Sequence, residues 1–211
     1  MTIEYYNIAN YKFPYDPTLE KVGLKISGGA DSSLIAYILG ILKSKGLIHS
    51  QIITMTNEHH DRPYQIDVTN RVLNYVTQKT GSVFEYRVSV FSPSTETYEI
   101  NRSNIVQETK NKFGFSKHYM GITANPPAES GIPPEDFERT HDNNKSIIET
   151  YKFSPWINYH KQDIANIYKE LDIMDLFSIT RSCETRTFDF TEHCGKCWWC
   201  KERYWGFGRY E

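Results

Sequence analysis

The feature that most constrains this chain lies between Val22 and Lys45. Val22 to Ile26 is a short apolar run and reads as a buried strand. Asp31 to Lys45 then carries Leu34, Ile35, Ile38, Leu39, Ile41 and Leu42 on one helical stripe, with Gly46 where a C-terminal cap belongs. Ser27-Gly28-Gly29-Ala30-Asp31-Ser32-Ser33 joins the two. Glycines at 28 and 29 let the backbone turn sharply and bring N–H groups close to a ligand. Ser27, Ser32 and Ser33 add hydroxyls, and the positive end of the helix faces the same point. The string therefore reads as a site for phosphate oxygens, formed by residues 27 to 33. It matches neither the Walker A order nor the Rossmann glycine pattern. A plain Gly-Gly turn, with Asp31 or Ser32 as N-cap, is the alternative reading.

The rest of the chain continues the same alternation. Gln51 to Thr56 reads as a strand, Gln65 to Gly81 as a helix and Val83 to Val90 as a strand. Asn104 to Phe113 reads as a helix, His118 to Ile122 as a strand and Lys161 to Leu171 as a helix. This order predicts an α/β fold on a parallel sheet. Residues 1–20 read as an irregular lead-in, because Pro14 and Pro17 limit regular structure. Thr123 to Asn144 is rich in Pro, Gly, Asp and Asn, and its length suits a substrate loop. A length of 211 residues suits one domain, with a nucleotide-binding core over 20–180 and a cysteine-bearing segment over 181–211.

A net charge of −2 supplies no general surface for polyanions, so stable nucleic-acid binding is not expected. No apolar run reaches the roughly 18 residues of a membrane span. The opening MTIEYYNIANYKF has no basic stretch followed by an apolar one, so a signal peptide is not expected and the cytoplasm is the default compartment.

All 4 cysteines fall in the last segment: Cys183, then Cys194, Cys197 and Cys200 in Cys-Gly-Lys-Cys-Trp-Trp-Cys. Four thiolates in so compact a stretch match a tetrahedral structural zinc site, which would help to fold the tail. An iron–sulfur cluster and a redox dithiol are the competing readings. Against the former, the further cysteine and proline of bacterial ferredoxins do not follow Cys200, where Lys201 and Glu202 come next.

Ser-Gly-Gly-Ala-Asp-Ser at 27–32 resembles the signature of the PP-loop ATP pyrophosphatases. Together with the tail it resembles the 7-cyano-7-deazaguanine (preQ0) synthase family. The matching tail positions are Ser182-Cys183, Cys194-Gly195, Cys197, Cys200, Arg203 and Gly206-Phe207. Lys161-x-Asp163-Ile164-Ala165, Gly121 to Asn125 and Ser130-Gly131-x-Pro133 add to the match, which spans about 25 to 207. The resemblance implies a Rossmann-like sheet of the adenine nucleotide α-hydrolase type and a homodimer. It implies ATP with Mg²⁺ as cosubstrate and one structural zinc held by the four cysteines. It also implies that a 7-carboxy-7-deazaguanine carboxylate is adenylated and converted by ammonia to an amide, and then to a nitrile. On this reading Asp31 and Lys161 are catalytic, and Arg102 joins the phosphate loop in holding the nucleotide. The sequence departs from the family at Thr56-Asn57-Glu58-His59-His60 and at Ile132-Pro133-Pro134-Glu135-Asp136, both on the substrate side. The alternatives are adenylation of another acceptor, such as a tRNA base in thiolation, or an ATP-binding zinc module without turnover.

Among the remaining residues, Lys161 at a helix start opposes the helix dipole and so suggests a phosphate contact. His59, His60 and Asp61 read first as a solvated loop and second as metal ligands. Trp198 and Trp199 read as packing around the metal knuckle or against a partner.

Overall fold

The structure is a computed structural model that describes residues 2–134, 146–184 and 192–211. Its chain order begins with β1 (Glu4–Ile8), β2 (Tyr11–Tyr15), β3 (Lys21–Lys25), α1 (Ala30–Ser44), β4 (Gln51–His59) and α2 (Gln65–Thr80). Next come β5 (Tyr86–Ser92), α3 (Thr95–Phe113) and β6 (Lys117–Tyr119). β7 (Lys152–Phe153), α4 (Lys161–Glu170), α5 (Met174–Ile179) and α6 (Trp198–Phe207) complete it.

The main sheet has 5 strands in the order β5-β4-β3-β6-β7, and every neighbouring pair is parallel. From β3 the chain steps outward through β4 to β5, then returns to place β6 on the other side of β3. The connections leaving β3 and β6 therefore diverge, and a crevice opens between them at the carboxyl ends of the strands. β3 is buried at Val22, Gly23 and Leu24, and β4 from Ile52 to Asn57, as strands covered on both faces must be. The core runs from the sheet through Leu34, Ile35, Ile38 and Leu42 of α1 to Ile164, Ile167 and Tyr168 of α4. No helix among the described residues is long and apolar enough to cross a membrane.

The α/β reading holds, with two corrections and one addition. Residues 1–20 are not an irregular lead-in: β1 and β2 form an antiparallel hairpin with Tyr5 opposite Pro14 and Ile8 opposite Tyr11. A two-stranded ribbon has an open edge on each strand, so Pro14 is tolerated without an N–H. Phe13 is fully buried and stacks on Tyr119 at 5.3 Å, and the Tyr119 hydroxyl donates to the Pro14 carbonyl at 2.9 Å. α3 begins at Thr95 rather than Asn104, capped by the Ser94 hydroxyl, which accepts from the Thr97 N–H at 3.1 Å. Its first turns carry little apolar patterning because only Ile105 and Thr109 of the helix are buried. Finally, 181–211 contains a helix, α6, lying against α4. A Cβ at Gly206 would stand 2.4 Å from Lys161 Cγ, so a side chain is excluded where these helices meet.

The finer limits shift as strand and helix ends usually do. β4 continues to His59, β5 starts at Tyr86 and β6 ends at Tyr119. Part of the expected substrate loop and of the tail, including Glu135 and Asp136, lies outside the described residues.

Candidate functional site

A cavity of about 610 Å³ occupies the crevice between the β3 and β6 connections. Ser27, Gly29, Asp31 and Ser32 line it, as do Met120 to Thr123. The loop of residues 27 to 33 thus faces open space at the switch point of the sheet. Gly28 has φ +79°, and a Cβ there would lie 2.7 Å from Val68 Cγ1. Both its conformation and the approach of α2 therefore require glycine. Gly121 is needed for a different reason: its Cβ would come within 2.7 Å of the Ser32 backbone nitrogen. The β6 connection passes directly over the first turn of α1.

The N-cap of α1 is Gly29, and no side chain caps the helix. Asp31 and Ser32 sit inside the first turn, so the N-cap reading of these residues does not hold. An uncapped N-terminus presents backbone N–H groups and the positive dipole end toward the cavity. The hydroxyls brace the loop. Ser33 Oγ donates to the Gly29 carbonyl at 2.8 Å, and the Ser27 N–H donates to Ser32 Oγ at 3.3 Å. Ala30 is buried, and its carbonyl accepts from the Tyr168 hydroxyl at 2.8 Å.

Lys161, the first residue of α4, reaches the same cavity. Its Nζ donates to Asp31 Oδ1 and Oδ2 at 2.7 and 2.6 Å and lies 3.3 Å from Glu202 Oε2. The Lys161 side chain is 5% exposed and that of Glu202 is 1% exposed. Two carboxylates therefore compensate a cation that would otherwise oppose the dipole of its own helix. Arg102 of α3 also lines the cavity, half exposed and 3.6 Å from Glu99, while Lys25 Nζ donates to its carbonyl at 3.1 Å. The structure thus pairs Asp31 with Lys161, and Arg102 lines the same cavity without contacting that pair.

Several lining residues were missed in the sequence. Arg62 pairs with Glu184 at 3.1 Å and lies over the Tyr98 ring at 5.5 Å, tying the β4 connection to the cysteine segment across the cavity. Gln65 Nε2 donates to the Ser27 carbonyl at 3.5 Å, and its buried Oε1 has no hydrogen-bond partner among the described residues. Asn57 bridges the Tyr98 carbonyl and the Ser92 hydroxyl. A polar stretch at the carboxyl end of a buried strand was the available signal for these residues.

His59 is buried, not solvated. It stacks on His60 with ring centres 4.5 Å apart, and His60 Nε2 lies 2.7 Å from Asp61 Oδ1. Donor atoms of the three lie within 4.8 Å of one another. Stacked rings aim their lone pairs side by side rather than at one point. His59 Nδ1 moreover accepts from the Asp61 N–H at 3.1 Å. The arrangement holds the end of β4 at the cavity wall.

The sulfur atoms of Cys183, Cys194, Cys197 and Cys200 all lie within 4.8 Å of one another, and no disulfide joins them. Cys194 and Cys200 are 3.9 Å apart, and Cys197 and Cys183 4.0 Å. Gly195, at φ +67°, turns the knuckle so that the Lys196 and Cys197 N–H groups both donate to Cys194 Sγ. Burial pushes the Cys197 and Cys200 thiols up, so a nearby cation is needed to hold them as thiolates. This donor set fits a metal ion. Cys183 also lines the cavity, as does Trp199, while Trp198 Nε1 donates to the Pro133 carbonyl at 2.6 Å.

The tail is fastened to the loop of residues 27 to 33. The Arg181 N–H donates to the Gly28 carbonyl at 3.0 Å. Arg203, 1% exposed, donates to Thr180 Oγ1, Ser182 Oγ and the carbonyls of Phe177, Thr180 and Tyr210. Its guanidinium lies over Phe177 at 3.8 Å, and burial depresses its pKa to about 9.

No family model and no curated protein matches the chain. Among solved structures, the U34-tRNA thiolase NcsA from Methanococcus maripaludis, determined with its 4Fe–4S cluster, is similar to it, with a TM-score of 0.48 and 12% sequence identity. The match covers 72% of this chain and 57% of the thiolase, so the chain spans little more than half of that structure.

Proposed function

We propose that this chain is an adenylating enzyme of the PP-loop ATP pyrophosphatase type and that its first acceptor is a 7-deazapurine carboxylate. The observation that carries the nucleotide site is the loop of residues 27 to 33, open at the switch point of a parallel sheet with the Lys161–Asp31 pair in the same cavity. The N-terminus of α1 receives the β,γ-phosphates, and Lys161 offsets the charge that grows on the departing pyrophosphate. Asp31 aims the Lys161 ammonium. Mg²⁺ would supply further neutralisation of the phosphates.

In the reaction the acceptor carboxylate oxygen attacks the α-phosphorus, and the bond to pyrophosphate breaks. Ammonia then adds to the acyl carbon and AMP departs, leaving an amide and a proton. A second ATP activates the amide oxygen in the same way with release of pyrophosphate, and loss of AMP and the two N–H protons leaves the nitrile. Arg62, Asn57, His59 and Tyr98 also line the cavity and would meet the acceptor.

The cysteine cluster is assigned here to one zinc ion. A tetrahedron with Zn–S bonds of about 2.3 Å has edges of about 3.8 Å. The observed pairs at 3.9 and 4.0 Å support a single ion. Thiolates bound to separate irons of a cluster would stand farther apart. A homodimer belongs to the same reading, through the family resemblance.

The deciding assay supplies ATP, Mg²⁺, ammonium and 7-carboxy-7-deazaguanine and follows products by mass spectrometry. Nitrile or amide with AMP and pyrophosphate is expected. Pyrophosphate release only when tRNA and a sulfur donor are present would replace the acceptor with a tRNA base. ATP binding without turnover on either would leave a nucleotide-binding metal module. The likeness to NcsA does not bear on the acceptor.

A further inference from the structure

We propose that Glu202 is a positioning residue through which the metal held by the four cysteines sets where the Lys161 ammonium stands in the cavity. The inference rests on the nucleotide reading of that cavity. Lys161 lines the cavity and Glu202 does not. Glu202 lies behind the ammonium, 3.3 Å from Nζ and 1% exposed, while Asp31 holds it from the loop side at 2.6 Å. One cation is thus shared by a carboxylate of the phosphate loop and a carboxylate of the metal tail.

The path from metal to ammonium is short. Cys200 and Glu202 lie within one turn of α6, and Arg203 follows directly. Arg203 fixes Thr180 and Ser182, next to Arg181, whose N–H holds the Gly28 carbonyl. Gly206, one turn further on, presses against the Lys161 stem. A ten-residue helix is marginal alone in water and owes its order to tertiary contacts. The ion that gathers Cys200 to Cys183, Cys194 and Cys197 supplies that order at its first turn. Metal loading thereby delivers Glu202 to Lys161. Without Glu202 the ammonium rests on Asp31 alone and loses the second contact that fixes where it stands for an incoming phosphate.

The first test measures ATP affinity by calorimetry for the wild type, Glu202→Gln, Lys161→Met and the double variant, with equal metal content verified in each. Glu202→Gln should weaken binding by about tenfold in the wild-type background and have no further effect beside Lys161→Met. Equal loss in both backgrounds would mean that Glu202 does not act through Lys161, and would overturn the proposal.

The second test needs no nucleotide. Acylation of Lys161 by an amine-reactive ester, read by peptide mass spectrometry, should accelerate when a chelator removes the metal from the wild type. Glu202→Gln with its metal bound should already label faster than the loaded wild type. Labelling of Lys161 that ignores both the chelator and the substitution would overturn the proposal even if ATP binds. If the wild type binds no ATP, the functional reading falls and the labelling result alone decides this one.

Discussion

Lys161 Nζ lies 2.6 Å from Asp31 Oδ2, which joins the first residue of α4 to the first turn of α1 across 130 positions of sequence. Asp31 is favoured where it stands, since a carboxylate near a helix N-terminus meets the positive dipole end. Lys161 is not favoured by its own helix, and the pair resolves that conflict.

Breaking the pair should separate binding from folding. Lys161→Met leaves Asp31 in the favourable dipole field of α1 and removes the cation facing the phosphates. Pyrophosphate release should fall by about 100-fold or more, on the scale of losing one transition-state donor. Steady-state release with saturating ATP checks this, with circular dichroism to confirm the fold.

Gly121→Ala should damage the phosphate loop from outside it. The added carbon would meet the Ser32 nitrogen at 2.7 Å, and a backbone atom cannot rotate away. A loss of about 1–3 kcal/mol in stability is expected, together with weaker ATP binding. Urea unfolding and a nucleotide titration of the same sample read the two effects.

Removing the metal should melt the tail before the sheet. Cys197→Ser, or a strong chelator, should abolish stoichiometric metal and raise amide exchange across α6 while the β3–β4 pairing stays protected. Elemental analysis should give one zinc per chain and a protein without visible absorption. A brown protein containing iron and labile sulfide would instead restore the cluster reading.

Arg203→Lys should not be conservative. The guanidinium spreads five hydrogen bonds over Thr180, Ser182 and the carbonyls of Phe177, Thr180 and Tyr210 while lying on Phe177. An ammonium cannot reproduce that planar fork. A destabilisation of about 3 kcal/mol or more is expected in denaturant unfolding, as for other buried charges left without their partners.

Burial of His118 predicts a pH dependence. Desolvation lowers its pKa from 6.5 to about 4, with Lys25, Lys152 and Lys110 adding to the effect. In the unfolded chain the same imidazole takes a proton near its ordinary value. The unfolded state therefore binds more protons between pH 6.5 and 4, and stability falls as pH drops through that window. The share from this residue is about 2–3 kcal/mol at pH 4. Thermal midpoints of the wild type and His118→Gln should converge as the pH falls if that assignment holds.

The sequence by itself determined the α/β alternation, the glycine–serine loop at 27 to 33 and the cysteine set. Each of these is a local pattern: an apolar strand meeting a helical stripe across Gly28 and Gly29, or four thiols in a short span. It could not show the β1–β2 hairpin, because Pro14 argues against a strand unless the open edge of a two-stranded ribbon is known. The buried place of Glu202 beside Lys161 was equally hidden, since a glutamate beside Lys201 reads as solvated surface until α6 is laid against α4. Only the tertiary structure brought Asp31, Lys161 and Glu202 to one point. Three charges far apart in sequence become partners through packing alone, and Gly206 permits the close helix contact that places them there.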